Sequence, residues 1–146
     1  MYSNKENSGI TRQLVAQNDR HDVVADLFGV HFPLRLEPYI YAMTERMAPS
    51  YHGGYWDFYT LDLDDEERGF YMAPDLQEPL DVICQNGWQG QLFADSLGIT
   101  ACLCAYSHLS FSQDVRFGRL MADHYHRLRA YMLDLEDAPA ILGAID

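Results

Sequence analysis

Positive charge is what this chain has least of. Ten Lys and Arg stand against 22 Asp and Glu, a net charge of −12 at neutral pH. Nucleic-acid binding needs cations to neutralise phosphates, so no direct contact with DNA or RNA is expected. The same deficit disfavours an anionic membrane surface and suits a basic partner, or simply good solubility. Long apolar runs are missing as well. The longest, Leu97 to Leu109, is interrupted by polar residues and is too short for a membrane span, which needs about 20 apolar residues. No basic start followed by an apolar stretch marks a secretory signal. A cytoplasmic protein is expected. Cysteine is sparse and odd in number: Cys84, Cys102 and Cys104 lie in apolar surroundings and read as free, buried thiols.

Recognisable catalytic and metal patterns are absent too. There is no His-Glu-x-x-His and no Cys-x-x-Cys. His124 and His126 are two apart on a predicted helix and diverge, while His21, His31, His52 and His108 occur singly. Ser96, Ser107, Ser110 and Ser112 lie in no nucleophile-elbow context. Gly53-Gly54 precedes a strand instead of linking a strand to a helix, so no phosphate loop is visible. Asp57 and Asp75 are the candidates for a small hydrolase, since a buried carboxyl can serve as an acid catalyst. The plainer reading of Asp57 is a sheet-surface carboxylate paired with an arginine. No metal and no cofactor are expected.

Aromatic residues, by contrast, are abundant and concentrated. Tyr55-Trp56-Asp57-Phe58-Tyr59-Thr60-Leu61 and Gly69-Phe70-Tyr71-Met72-Ala73-Pro74 flank a short acidic connection. Aromatics favour strands, and two such runs around a bounded connection read as a β-hairpin. Residues 57–82 hold nine acids and one base, Arg68. The connection's Asp62, Asp64, Asp65, Glu66 and Glu67 make a negatively charged tip, a candidate contact for a basic partner. It resembles a calcium loop only superficially, lacking the central glycine and the twelfth-position Glu. The aromatic cluster reads first as core and cross-strand packing. Six such side chains cannot all fit one side of a hairpin, so Tyr55 and Tyr71 are expected to reach the surface, where aromatics often anchor interfaces. An aromatic platform for a small ligand is the remaining alternative.

Around the hairpin, periodicity predicts helices over His21–Phe28, Glu37 to before Ala48, Leu97–Ser110, Gln113–Asp134 and Ala138–Ile145. Further strands are predicted over Leu80–Cys84 and Trp88–Phe93, joined by an Asn86-Gly87 turn. The connection from Pro74 to Pro79 is too short for a crossover helix, which makes neighbouring strands antiparallel. The expected fold is α+β: a single compact domain, an antiparallel β-meander of about four strands packed with four to five helices.

The wording of these segments resembles the antirestriction proteins of the KlcA/ArdB type, which are carried on plasmids and other mobile elements of bacteria. Gly53-Gly54-Tyr55-Trp56-x-Phe58-Tyr59-Thr60-Leu61 and Gly69 to Pro74 carry the resemblance most strongly. Arg46 to Tyr51, then Asn86-Gly87-x-x-Gly90-x-Leu92-x-Ala94-Asp95-x-x-Gly98-Ile99, and the terminal Ala144-Ile145-Asp146 extend it over roughly residues 35 to 146. The connection Asp62 to Arg68 is longer and more acidic than the family's short turn, and Leu135 to Pro139 lacks its His-Pro-Glu. The resemblance implies a non-enzymatic inhibitor of type I restriction that blocks DNA cleavage and not methylation. It implies no cofactor and a partner that is a restriction-enzyme component or an associated host factor. Phosphate mimicry fits poorly, because the acids cluster in one part of a compact chain. The expected division is a flexible segment over 1–18 and an antirestriction domain over 19–146, with Asp146 joining the tip, Tyr55 and Tyr71 as a candidate contact.

Overall fold

The computed structural model describes residues 9–64 and 67–146. Strand β1 (Thr11–Leu14) leads through a short turn to α1 (Arg20–Phe28), and a π-helical turn at Phe32–Leu36 runs straight into α2 (Glu37–Met47). The aromatic hairpin follows as β2 (Trp56–Asp62) and β3 (Arg68–Pro74), then a second hairpin, β4 (Leu80–Ile83) and β5 (Gln89–Leu92). Three helices close the chain: α3 (Ala94–Leu109), α4 (Val115–Met132) and α5 (Ala138–Ile145). The architecture is α+β with antiparallel strands.

The four central strands do not form one meander. They split into a sheet of order β1-β2-β3 and a separate β4-β5 pair. The reason lies at the outer edge of β3, where a fourth strand would pair. Asp75 N–H bonds Tyr55 O, and Leu63 N–H bonds Glu67 O, which turns the Phe70 and Met72 carbonyls away from β2. Helix α3 occupies that edge. Tyr106 donates its hydroxyl to Phe70 O at 2.7 Å, and the Cys102 thiol reaches Met72 O at 3.7 Å. One turn earlier, Gly98 lies so close that an added Cβ would sit 2.6 Å from Ala73 Cα. Gly98, Cys102 and Tyr106 thus form a stripe at helical spacing that closes a sheet edge. Pro74, which has no N–H, ends the strand on this outer side without leaving a donor unpaired.

The amino-terminal expectation also needs correction. Residues 1–18 were expected to be loose, yet Thr11–Leu14 pairs antiparallel with β2, Leu14 opposite Tyr59. All four residues are exposed, so the segment carries no apolar alternation from which a strand can be read.

Hydrophobic burial places the core between the β2-β3 hairpin and the helices. Phe70 meets Phe28, Phe32 and Phe58 edge-on, with ring centroids 5.4–5.6 Å apart. Such pairs contribute about 0.5–1.5 kcal/mol each beyond the area they bury. Helix α3 is buried almost throughout, as a helix apolar on every side must be. Helix α4 starts on Asp114, whose carboxylate accepts the Phe117 N–H, and buries Phe117, Met121, Leu128 and Met132. His124 lies in the same buried stripe, 4.5 Å from the Phe28 ring. Desolvation, with Arg127 nearby, holds its pKa down to about 3, so the ring is neutral. Helix α5 is tied to the second hairpin through Asn86, whose side chain donates to Gly143 O and accepts the Trp88 N–H, both at 2.9 Å.

Candidate interaction surface

The hairpin tip is anchored at its base. Asp62 accepts a hydrogen bond from the Gln13 amide at 2.7 Å, fastening β1 to the end of β2. Glu67 lies 3.4 Å from Arg127 of α4, and Arg127 also donates to Arg68 O. Arg68 in turn stands 3.8 Å from Asp26 of α1. Asp64 is exposed at the tip, while Asp65 and Glu66 lie outside the described residues. Two of the predicted contact carboxylates, Asp62 and Glu67, are thereby engaged in holding the tip. Asp146 ends α5, which packs on α3 and β5, so the structure does not gather it with the tip.

Tyr71 does not reach the surface, contrary to expectation. It is fully buried, with its ring stacked between Tyr59 and Tyr131. Strand β3 is covered on both faces, and this is the face that periodicity alone leaves undecided. The Tyr71 hydroxyl accepts from Arg12 and donates to Asp95 at 2.7 Å, while Arg12 also pairs with Asp95 at 2.8 Å. Arg12 lies over the Tyr59 ring at 4.3 Å. Burial, and then the Asp95 carboxylate, push the Tyr71 pKa well up, so it stays a neutral donor. This network joins β1, the hairpin and the first turn of α3. Of its members, Arg12 carries no local signal in the sequence at all.

Tyr55 is where it was expected, 47% exposed. Its partner is Arg20, the first residue of α1. The Arg20 guanidinium lies 4.8 Å from the Tyr55 ring centre and 4.4 Å from that of Phe58. It donates to Tyr55 Oη and Trp56 O, each at 2.7 Å, and stands 3.9 Å from Asp57. Asp57 is thus the arginine-paired sheet carboxylate of the plainer reading, and Asp75 is exposed. Neither offers a buried acid for hydrolysis.

Beside Arg20 opens an apolar groove of about 600 Å³. Val24, Phe32 and Phe58 are its buried floor; Ala25, Val30 and Pro33 are exposed along its sides. Arg20, His21 and Glu37 supply its polar rim. Nothing in the sequence pattern signalled it, because its lining comes from α1, the turn before α2, and β2. Elsewhere burial pushes the Cys102 thiol up to about 12 and the half-buried Cys104 up to about 11. Among the described residues, no group of three or more His, Cys, Asp or Glu could hold a metal ion, and no helix is long and apolar enough to cross a membrane.

An α+β scaffold whose buried polar groups tie strands to helices, and whose free acids lie outside, defines a class of small acidic domain. Comparison with known proteins then gives the family. Residues 49–146 match the model of the antirestriction protein family. The chain is 37% identical over 145 residues to the antirestriction protein KlcA of Escherichia coli, covering 98% of this chain and 99% of that protein. It is 40% identical over 116 residues to YafX of E. coli K12, covering 77% and 72% of the two chains. Its fold superposes on a solved structure with a TM-score of 0.86 at 38% identity, covering 99% and 100% of the two chains. That structure belongs to work on the KlcA and ArdB proteins, which describes a novel fold and antirestriction activity against type I DNA restriction systems in vivo but not in vitro. The chain belongs to the antirestriction protein family.

Proposed function

We propose that this protein protects incoming mobile DNA by inhibiting type I restriction in the bacterial cytoplasm, blocking cleavage while leaving methylation intact. It acts by surface recognition and not by turnover. The observation that carries this reading is the full-length likeness to KlcA, in fold as well as sequence. The physical features agree with it. Polar side chains inside the domain hold elements together, and the acidic exterior opposes direct DNA binding. The partner is a component of the restriction machinery or a host factor associated with it. Activity of the related proteins in vivo but not in vitro favours a cellular component missing from a purified reaction.

The test is plating of unmodified phage on a host carrying a type I system, with and without this protein. Expression is expected to raise plating by at least tenfold while methylation of the surviving phage continues. Equal plating in both hosts would refute the function. Charge reversal at Asp64, Asp65, Glu66 and Glu67 is expected to weaken protection without unfolding the domain, because Asp64 and Glu67 are exposed. Full protection by the reversed variant would remove the tip from the mechanism.

A further inference from the structure

The groove beside α1 has a core floor but leaves apolar side chains uncovered along its sides. Its sides expose Ala25 and Val30, and Leu34 beyond it is 72% exposed, although apolar surface of this kind is normally buried. We infer that this groove is the seat of a basic amphipathic helix of a partner protein, with apolar side chains in the trench and lysines or arginines facing the acids of α1. The inference rests on the proposed antirestriction function and assigns its contact surface.

Charge complementarity identifies the occupant. Asp19, Asp22 and Asp26 are exposed and spaced by three and four residues, so they share one face of the α1 segment. Asp22 borders the Ala25 side of the groove, and Asp19 and Asp26 lie beyond it on the solvent face of α1. Glu37 on the rim and Asp57 near Arg20 add two more carboxylates. Arg20 is the nearby cation, and its charge is already directed at Tyr55, Trp56 O and Asp57. At its far end the α1 face continues through the Asp26–Arg68 pair to the hairpin tip. An acidic ridge therefore runs alongside an apolar trench, the complement of a helix that is apolar on one face and basic on its flank. Nucleic acid and anionic lipid would be repelled by the same ridge. The groove is also open along one side, as suits a segment of chain and not an enclosed small ligand. Exposed Tyr55 stands at its Arg20 end, where an aromatic can anchor the partner.

The probe is a synthetic peptide with leucines at helical spacing and lysines elsewhere, compared with a scramble of the same composition at about 0.15 M salt, where long-range attraction is screened. Fluorescence anisotropy is expected to show at least tenfold tighter binding of the patterned peptide to the native protein. Val30→Asn and Ala25→Gln leave the net charge unchanged and occupy exposed positions; each is expected to abolish that preference without changing the melting temperature. Asp22→Asn with Asp26→Asn is expected to weaken binding and reduce its salt dependence. Equal affinity for both peptides, or an unchanged preference in Val30→Asn, overturns the inference. Phage plating separates the two levels. Protection by native protein that persists undiminished in Val30→Asn removes the groove and leaves the function standing. No protection by native protein refutes the function, and the peptide comparison still decides the groove.

Discussion

Replacing Gly98 with alanine tests how α3 closes the sheet. On an exposed helix the change would stabilise the protein, because alanine is favoured over glycine by about 0.8–1.0 kcal/mol. Here the new methyl would lie 2.6 Å from both Cα and Cβ of Ala73 and would also press on the Met72 carbonyl. Ordinary carbon contacts are about 3.5–4.0 Å, so α3 must retreat by roughly 1 Å or β3 must bend. Either movement stretches the bonds from Cys102 to Met72 O and from Tyr106 to Phe70 O. Overpacking costs about 1–3 kcal/mol, and a buried acceptor left without its donor costs about 1–3 kcal/mol more. After subtracting the helix-propensity gain, the net loss is about 1–5 kcal/mol. For a chain of this size that lowers Tm by roughly 3–20 °C. Urea unfolding followed by tryptophan fluorescence reads it directly, since Trp56 is buried and donates to Tyr51 Oη at 2.7 Å. A Gly98→Ala variant as stable as the native protein, or more so, would show that the close approach of α3 to β3 is wrong.

Two further outcomes follow from buried titratable groups. His124 has a folded pKa of about 3, below the usual ~6.5, so the unfolded chain takes up a proton that the folded one excludes. Stability therefore falls as pH drops below about 6.5, by roughly 2 kcal/mol at pH 5. His124→Phe is expected to flatten this limb in urea titrations at pH 7, 6 and 5, and parallel losses in both proteins would contradict it. Cys102 is fully buried with its thiol pushed up to about 12, and Cys104 up to about 11. Ellman's reagent at pH 8 is expected to modify Cys102 only on the timescale of unfolding; prompt modification of Cys102 in native protein would show that α3 does not seal the β3 edge.

What could be foreseen from the sequence divides along a physical line. Local rules located α5 at Ala138–Ile145, α2 at Glu37 with Pro38 in its first turn, and the strands of both hairpins within a residue or two. Each has its cause within a few residues: a helix start tolerant of proline, an Asn86-Gly87 turn, an aromatic run. What escaped depends on distant partners. Strand β1 is recognisable only by its pairing with β2, because Thr11-Arg12-Gln13-Leu14 has no periodicity of its own. Tyr71 looks like a surface aromatic until Tyr59 and Tyr131 close over it and Arg12 and Asp95 take its hydroxyl. The groove escaped for the same reason, and so did the role of Arg20 between Tyr55 and Phe58.

The hairpin that first drew attention therefore combines two parts with different constraints. Its strands are fixed: β3 is held by α3 through two carbonyls and by the Tyr71 network, and β2 is held between β1 and β3. Its tip is tied at the base. Lengthening a surface connection costs only about 0.6 kcal/mol per doubling, and the anchoring pairs Asp62–Gln13 and Glu67–Arg127 lie at its base. The acidic connection sits where added length is inexpensive. The groove, by contrast, is built from Phe58 on the fixed strand and Val24 and Phe32 packed against it. A contact that needs fixed geometry is better placed on such a surface than on a surface connection. Under the contact proposed above, the tip's charge would attract a basic partner and the groove would decide which partner stays.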